Sequence, residues 1–207
     1  MIGGSTYCLA QIARIIESAL PQNAHPEAPV RIIFTDSRQP FSGNDALFFA
    51  LRTQRSDGHR YIAELYKKGV RYFVVEENNS AWQQLLSSDP CFSGSLPDDA
   101  TKAEAAVFIQ VKQPLEALQK LAAFHRQAFR GEVLGITGSN GKTVVKEWLF
   151  QLLSNHKRIL RSPRSFNSQL GVPLSVWPLE PAHELGIFEA GISQTGEMTR
   201  LQAILRP

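Results

Sequence analysis

The run Gly135-Ile136-Thr137-Gly138-Ser139-Asn140-Gly141-Lys142-Thr143 constrains the fold of this chain more than any other stretch. It follows the apolar pair Val133-Leu134 and leads into a helical pattern. In that helix Val144, Val145, Trp148, Leu149, Leu152 and Leu153 are expected to form the buried face. Strand, glycine loop, Gly-Lys-Thr and helix is the order of a phosphate-binding loop. Glycines let backbone N–H groups turn inward and approach an anion closely. The start of the helix adds roughly half a positive charge. In such a loop Lys142 reaches the outer phosphates and the Thr143 hydroxyl ligates Mg²⁺. The common pattern places a glycine six residues before the lysine, and that position is Ile136, the glycines standing at 135, 138 and 141 instead. A plain Gly-rich turn before a helix is the bland alternative, disfavoured by the strand before and the amphipathic helix after.

Upstream the pattern is that of a small α/β unit. Residues 6–20 show helical periodicity through Leu9, Ile12, Ala13, Ile16 and Leu20, with Ser5 or Thr6 as cap and Pro21 as stop. Strands are predicted over 31–35, 46–51, 70–75 and 107–111, and helices over 59–68, 80–86 and 114–129. Asp57 can cap the helix that Gly69 stops. A turn is expected at Ser42-Gly43-Asn44 and a long exposed loop over 87–102. Strand, helix, strand predicts a parallel βαβ unit. After the phosphate loop come a strand over 158–160, a turn and short helix over 165–173, a strand over 185–190 and a helix over 196–205. The expected class is α/β: a small N-terminal domain over 1–112, then the first part of a phosphate-loop parallel α/β domain over 113–207. Doubly wound nucleotide-binding sheets usually hold more strands than this second segment supplies. The chain is therefore expected to be a piece of a longer protein.

Charged residues make up 20% and hydrophobic ones 43%, ordinary for a globular protein. A net charge of +3 gives no argument for a nucleic-acid partner. The densest basic cluster, Lys157, Arg158, Arg161 and Arg164, reads either as a solvated strand edge or as facing phosphate. Cys8 and Cys91 lack metal-ligand spacing and point to a reducing compartment. No apolar run approaches the ~18 residues of a membrane span, and Arg14 and Glu17 interrupt the N-terminal apolar residues. A cytoplasmic location without a membrane partner is the expectation.

Glu189 closes an apolar strand. Strand C-termini share one edge of a parallel sheet, so Glu189 is expected near Lys142 and Thr143, holding a metal bound to the nucleotide. Asn167 can contact a phosphate, the metal or its waters. The bland alternatives are a solvent-exposed strand-end acid and a turn asparagine. His125, on a helix rich in Leu and Ala, reads as a packed or surface histidine. Two polar loops meet at one edge of the first sheet: Asp36-Ser37-Arg38, and Arg52-Thr53-Gln54-Arg55-Ser56-Asp57-Gly58-His59. Such loops can bind an anionic ligand, and the planar fork of an arginine suits a diphosphate. His59 reads equally as functional or structural.

Together these pieces resemble the Mur ligases, the ATP-dependent enzymes that build the peptide of bacterial cell-wall precursors. Thr137-Gly138-Ser139-Asn140-Gly141-Lys142-Thr143 matches the family's phosphate loop, with the same departure from the usual glycine spacing. Thr35-Asp36-Ser37-Arg38, Leu47-Phe48-Phe49-Ala50-Leu51 and Asp57-Gly58-His59 are similar to its N-terminal UDP-binding domain. Phe166-Asn167-Ser168-Gln169-Leu170-Gly171-Val172-Pro173 resembles the branch that adds D-alanyl-D-alanine; the Thr-Thr pair of the diaminopimelate- or lysine-adding branch is absent. Glu189 to Glu197 parallels a Glu-Leu-Gly-Ala-Asn-x-x-Gly-Glu stretch, with Ser193 in place of Asn and Gln194 in place of a frequent His. The variant is also similar to a form fused to a C-terminal alanine racemase domain.

The resemblance implies ATP and Mg²⁺ as cofactors, and UDP-MurNAc-tripeptide and D-Ala-D-Ala as substrates. It makes Lys142, Glu189 and Asn167 catalytic, residues 137–143 the ATP loop, and Thr143 and Glu189 the metal ligands. Asp36, Ser37, Arg38, Arg52, Thr53, Arg55, Asp57, Gly58 and His59 would bind the UDP precursor. Three other readings stay open: a tripeptide-forming Mur ligase, a folylpolyglutamate-synthase-like ligase or small-molecule kinase, and a non-catalytic nucleotide-binding module. Folate enzymes of this kind carry their phosphate loop near the N-terminus, whereas about 130 residues precede it here.

Overall fold

The computed structural model describes residues 6–39, 44–54, 56–88, 92 and 105–207. They form two compact units, Thr6–Leu118 and Gln119–Pro207. The division lies inside a helix, a little beyond the boundary expected at Gln113.

In the first unit β1 (Tyr7–Cys8) pairs antiparallel with β2 (Pro29–Val30), with α1 (Leu9–Ile15) following β1. α1 is shorter than the periodicity predicts. Glu17 adopts a left-handed φ of 58° and the Ser18 N–H bonds the Ala13 carbonyl at 2.9 Å, closing the helix well before Pro21. The main sheet is parallel, with strands in sequence order: β3 (Ile32–Phe34), β4 (Ala46–Phe49), β5 (Tyr72–Glu76) and β6 (Val107–Val111). Their near-continuous apolar sequences suit strands covered on both faces. Register places Phe34 beside Phe48, Phe48 beside Phe73 and Phe73 beside Phe108. The ring centroids are 5.1, 6.4 and 5.5 Å apart, and Trp82 of α3 (Ser80–Ser88) stacks on Phe108 at 5.4 Å. Cross-strand aromatic pairs add about 0.2–1 kcal/mol each. Between β4 and β5, the single helix expected over 59–68 is instead a 3₁₀ turn (Gly58–Tyr61) running into α2 (Ile62–Lys67). The expected turn at Ser42-Gly43 and most of the loop over 87–102 lie outside the described residues, as does Ser5.

α4 (Pro114–Ala128) leads into the second unit, built from β7 (Glu132–Ile136), α5 (Lys142–Leu153), β8 (Ile159–Arg161), α6 (Gly171–Val176), β9 (Leu185–Glu189) and α7 (Glu197–Leu205). Its parallel sheet has the order β7-β9-β8, and all five residues of central β9 are buried. The core gathers Phe129, Val133, Val172, Val176, Phe188 and Leu201. His125 packs inside this unit: its Nε2 bonds the Leu179 carbonyl at 2.9 Å, and its ring lies 5.1 Å from that of Trp177. Burial pushes the His125 pKa down.

The expected buried face of α5 is corrected. Val144, Val145, Trp148 and Leu152 are 51%, 44%, 62% and 70% exposed, while Lys146 is fully buried. Periodicity identifies a stripe but not which side meets the sheet; at about 100° per residue Lys146 lies across the helix from that stripe. The basic cluster is mostly neutralised. Lys157 pairs with Glu132, Arg158 with Glu184 at 3.7 Å and Arg161 with Glu147 at 3.1 Å, which favours the solvated-edge reading.

Candidate functional site

The sheet register builds the first candidate site. Ile136 is the last residue of β7 and lies beside Glu189, the last residue of β9. The loop leaving β7 therefore starts next to that carboxylate. Gly138 and Gly141 take φ values of 142° and 78°, which side-chain-bearing residues rarely adopt. Gly141 is the N-cap of α5. Lys142 opens that helix, its ammonium bonding the Gly138 carbonyl at 2.6 Å. The Thr143 hydroxyl lies 3.3 Å from that of Ser165.

Residues after β8 complete the enclosure. The Asn167 amide donates to Glu189 Oε2 at 3.3 Å, and the Gly191 N–H bonds the Asn167 carbonyl at 2.7 Å. A Cβ on Gly191 would stand 3.0 Å from the Asn167 carboxamide, so this contact uses the missing side chain. A cavity of about 610 Å³ is walled by Thr137, Gly138, Ser139 and Lys142, by Asn167 to Gln169, and by Gly191, Ile192, Ser193 and Glu197. That volume suits a small-molecule ligand. Asn140 is exposed on the loop. Glu197 Oε2 accepts from the N–H groups of Ser193 and Gln194 at 2.6 and 3.0 Å and from the Ser193 hydroxyl at 3.1 Å. Those backbone hydrogen bonds hold its carboxyl below the usual range. Ser193 and Gln194 thus organise the start of α7.

Glu189 is fully buried, not the solvated strand-end acid of the bland alternative. Its Oε1 receives no hydrogen bond of good angle and faces only the Lys146 ammonium, at 2.9 Å. A carboxylate with an incompletely satisfied oxygen and the Thr143 hydroxyl are hard oxygen donors of the kind Mg²⁺ takes. No group of three or more His, Cys, Asp or Glu side chains suited to a metal occurs among the described residues. The two donors fit a hard cation that takes most of its ligands from another molecule. Lys146, Ser162 and Ser165 escaped the sequence reading. The one available signal was that Lys146 follows Lys142 by one helical turn.

The second candidate edge lies in the first unit, where parallel strands bring Asp36, Arg52 and Glu76 to their C-terminal side. Arg38 donates to both Asp36 oxygens, at 2.9 and 2.7 Å, and its own N–H bonds Oδ1 at 3.0 Å. These hydrogen bonds lower the Asp36 pKa to about 2. A guanidinium has five N–H donors, so three remain for a ligand. Ser37 is half-buried between them. The Arg52 and Asp57 backbones pair in an isolated antiparallel bridge, and the Thr53 hydroxyl donates to the Ser56 carbonyl and accepts the Ser56 N–H, both at 3.1 Å. Arg55 lies outside the described residues.

Asp57, Gly58 and His59 work inside the fold. The Asp57 carboxylate accepts from the His59 N–H at 3.0 Å, its ring Nδ1 at 2.6 Å and the Asn79 amide at 3.0 Å. Burial opposes its charge, but these bonds outweigh that and hold its pKa below the ordinary value. His59 Nε2 accepts the Glu76 N–H at 3.0 Å, so Nδ1 carries the proton and the buried ring braces β5. A Cβ on Gly58 would stand 2.9 Å from the Leu51 nitrogen.

Residues 29–126 match the model described as "Mur ligase family, catalytic domain", and residues 136–207 the one described as "Mur ligase middle domain". The chain belongs to the Mur ligase family. Its Mur ligase relatives include the UDP-N-acetylmuramoyl-tripeptide–D-alanyl-D-alanine ligase of Treponema pallidum, 35% identical over 78% of this chain and 33% of that protein. The enzyme of the same name from Synechocystis is 30% identical over 98% of this chain and 40% of that protein. The MurF crystal structure from Acinetobacter baumannii superposes with a TM-score of 0.79 at 25% identity, over 99% of this chain and 40% of that one. The Thermotoga maritima MurF ligase solved with ADP superposes with a TM-score of 0.63 at 26% identity, over 84% of this chain and 35% of that one. The chain thus spans between a third and two fifths of the length of these relatives. No described helix is long and apolar enough to cross a membrane.

Proposed function

We propose that this chain holds the ATP site and the UDP-precursor site of an ATP-dependent amide ligase, which adds D-Ala-D-Ala to UDP-MurNAc-tripeptide in the cytoplasm. The observation that carries the reading is the cavity shared by the phosphate loop and Asn167, beside a buried Glu189. In the reaction a carboxylate oxygen of the tripeptide attacks the γ-phosphorus of ATP, and the bond to the β-phosphate oxygen breaks. ADP leaves and an acyl phosphate forms. The D-Ala-D-Ala amine then attacks the acyl carbon, expels phosphate, loses a proton and leaves an amide. Lys142 and the loop N–H groups stabilise charge on the transferring phosphoryl group. Thr143 and Glu189 would hold Mg²⁺, which supplies charge neutralisation at the phosphates when bound. Asn167 fixes the orientation of Glu189 from the cavity wall. At the other edge, the free N–H groups of Arg38 are the donors for the diphosphate of the precursor.

Calorimetric titration tests both halves. Mg-ATP binding that is lost in Lys142→Ala, and UDP-MurNAc-tripeptide binding that weakens in Arg38→Ala, are expected. ATP binding indifferent to Lys142 would overturn the nucleotide half, and precursor binding indifferent to Arg38 the other.

A further inference from the structure

We infer that Lys146 is a positioning residue of the nucleotide site, locking Glu189 and the segment Ser162–Asn167 into the geometry that receives the cation of a metal–nucleotide complex. This rests on the reading of Glu189 as a cation ligand. Lys146 and Glu189 are both 0% exposed, and the ammonium lies 2.9 Å from Glu189 Oε1. It also donates to the Ser162 carbonyl at 2.9 Å and to the Arg164 carbonyl. The two carbonyls take hydrogen bonds from the ammonium, and Glu189 Oε1 meets it as an ion pair. Glu147 Oε1 stands farther off, at 3.4 Å, and its other oxygen pairs with Arg161.

A buried ion pair is seldom the most stabilising choice, since apolar residues of similar volume often do as well or better. Its geometry therefore calls for an explanation, and the connections supply one. Lys146 sits on the helix that begins with Lys142 and Thr143. Its partners follow β8 and end β9, and the Ser162 hydroxyl also accepts the Glu189 N–H at 3.0 Å. Arg164 has a left-handed φ of 49°, a strained conformation that persists only where the surroundings hold it. The lysine bonds its carbonyl. The chain then delivers Ser165 to the Thr143 hydroxyl and Asn167 to Glu189 Oε2. The two Glu189 oxygens are thus held apart, Oε1 against the ammonium and Oε2 against the amide of Asn167, a residue of the cavity wall. Neither Lys146 nor its partners line that cavity; the link to its wall is Asn167, which bonds Glu189 Oε2.

The test is the magnesium enhancement of ATP binding by the 207-residue chain, the ratio of Kd in EDTA to Kd in Mg²⁺, measured by calorimetry. Residues that orient a metal ligand typically change metal affinity by about 10–100-fold. Glu189→Gln and Lys146→Met should each reduce the ratio about tenfold or more. The double variant should be no worse than Glu189→Gln alone. In nucleotide-free protein, Lys146→Met should speed amide exchange at Glu189 and Gly191. If Lys146→Met does not fold, the double variant, which buries neither charge, and Lys146→Cys alkylated with bromoethylamine in a Cys8→Ser, Cys91→Ser background carry the comparison. Recovery of the ratio on restoring the amine supports the inference, and no recovery overturns it. An enhancement that needs Glu189 but not Lys146 overturns this inference alone, as does a double-variant loss equal to the product of the single losses. An enhancement indifferent to Glu189 overturns the cation-ligand reading and this inference with it.

Discussion

Arg38 and Lys146 are both cations paired with a carboxylate, at opposite extremes of exposure. The Arg38 and Asp36 side chains are 88% and 48% exposed, whereas those of Lys146 and Glu189 are both 0% exposed. The surroundings are reversed as well. The first unit buries a row of aromatic rings and leaves the Arg38–Asp36 pair outside; the second buries the Lys146–Glu189 pair and leaves Val144, Trp148 and Leu152 outside. A surface pair contributes about 0–1 kcal/mol, so it rearranges at little cost. Removing one partner of a buried pair costs about 3–5 kcal/mol, so that geometry is set before a ligand binds. One edge is adaptable and the other preorganised.

The contrast can be broken, and the largest effect should come from the buried pair. Glu189→Ala, which strands the Lys146 ammonium, should destabilise the second unit by about 3–5 kcal/mol in urea denaturation. A loss below 1 kcal/mol would remove the distinction between the edges. Lys142→Ala should weaken Mg-ATP binding about 100-fold, on the scale of a lost charge-assisted phosphate contact, without comparable loss of stability. Because the chain spans only part of its relatives' length, no pentapeptide should form when it alone is given ATP and both substrates; its detection by mass spectrometry would refute this.

A smaller effect is expected from His125. Its folded pKa lies below the ordinary 6.5 because burial disfavours the charged form. The unfolded chain then binds the extra proton first, so the second unit loses stability as pH falls from about 6.5 toward the lower folded value. His125→Phe should flatten that dependence in thermal melts between pH 7 and 5. The smallest effect belongs to Asp36→Asn, at most about 1 kcal/mol. The folded pKa of about 2 lies under the ordinary 3.8. The contribution of Asp36 is therefore present above that ordinary value and lost as pH falls toward 2.

Much of this was legible in the residues. The apolar runs of β3 to β6 and β9 announced themselves, and the glycine loop is set by local chemistry. The nearness of Glu189 to that loop followed from parallel pairing alone. Other features were not legible. The α5 periodicity marked an apolar stripe correctly and its direction wrongly. His59 read equally as functional or structural, and only the fold shows that both its ring nitrogens are held, by Asp57 and by the Glu76 N–H. The end of α1 depends on a left-handed Glu17 that no glycine advertised.

By itself, then, the sequence determined the α/β class, the glycine-rich Gly-Lys-Thr loop and the identity of Glu189 as the acid beside it, because these depend on backbone propensity, apolar patterning and the shared edge of parallel strands. Only the tertiary structure decided that Lys146 is the buried counter-ion of Glu189 and that Arg38 already holds Asp36. Whether a charge ends in the core or in water depends on which long-range partners the fold brings to it, and no local pattern encodes that choice.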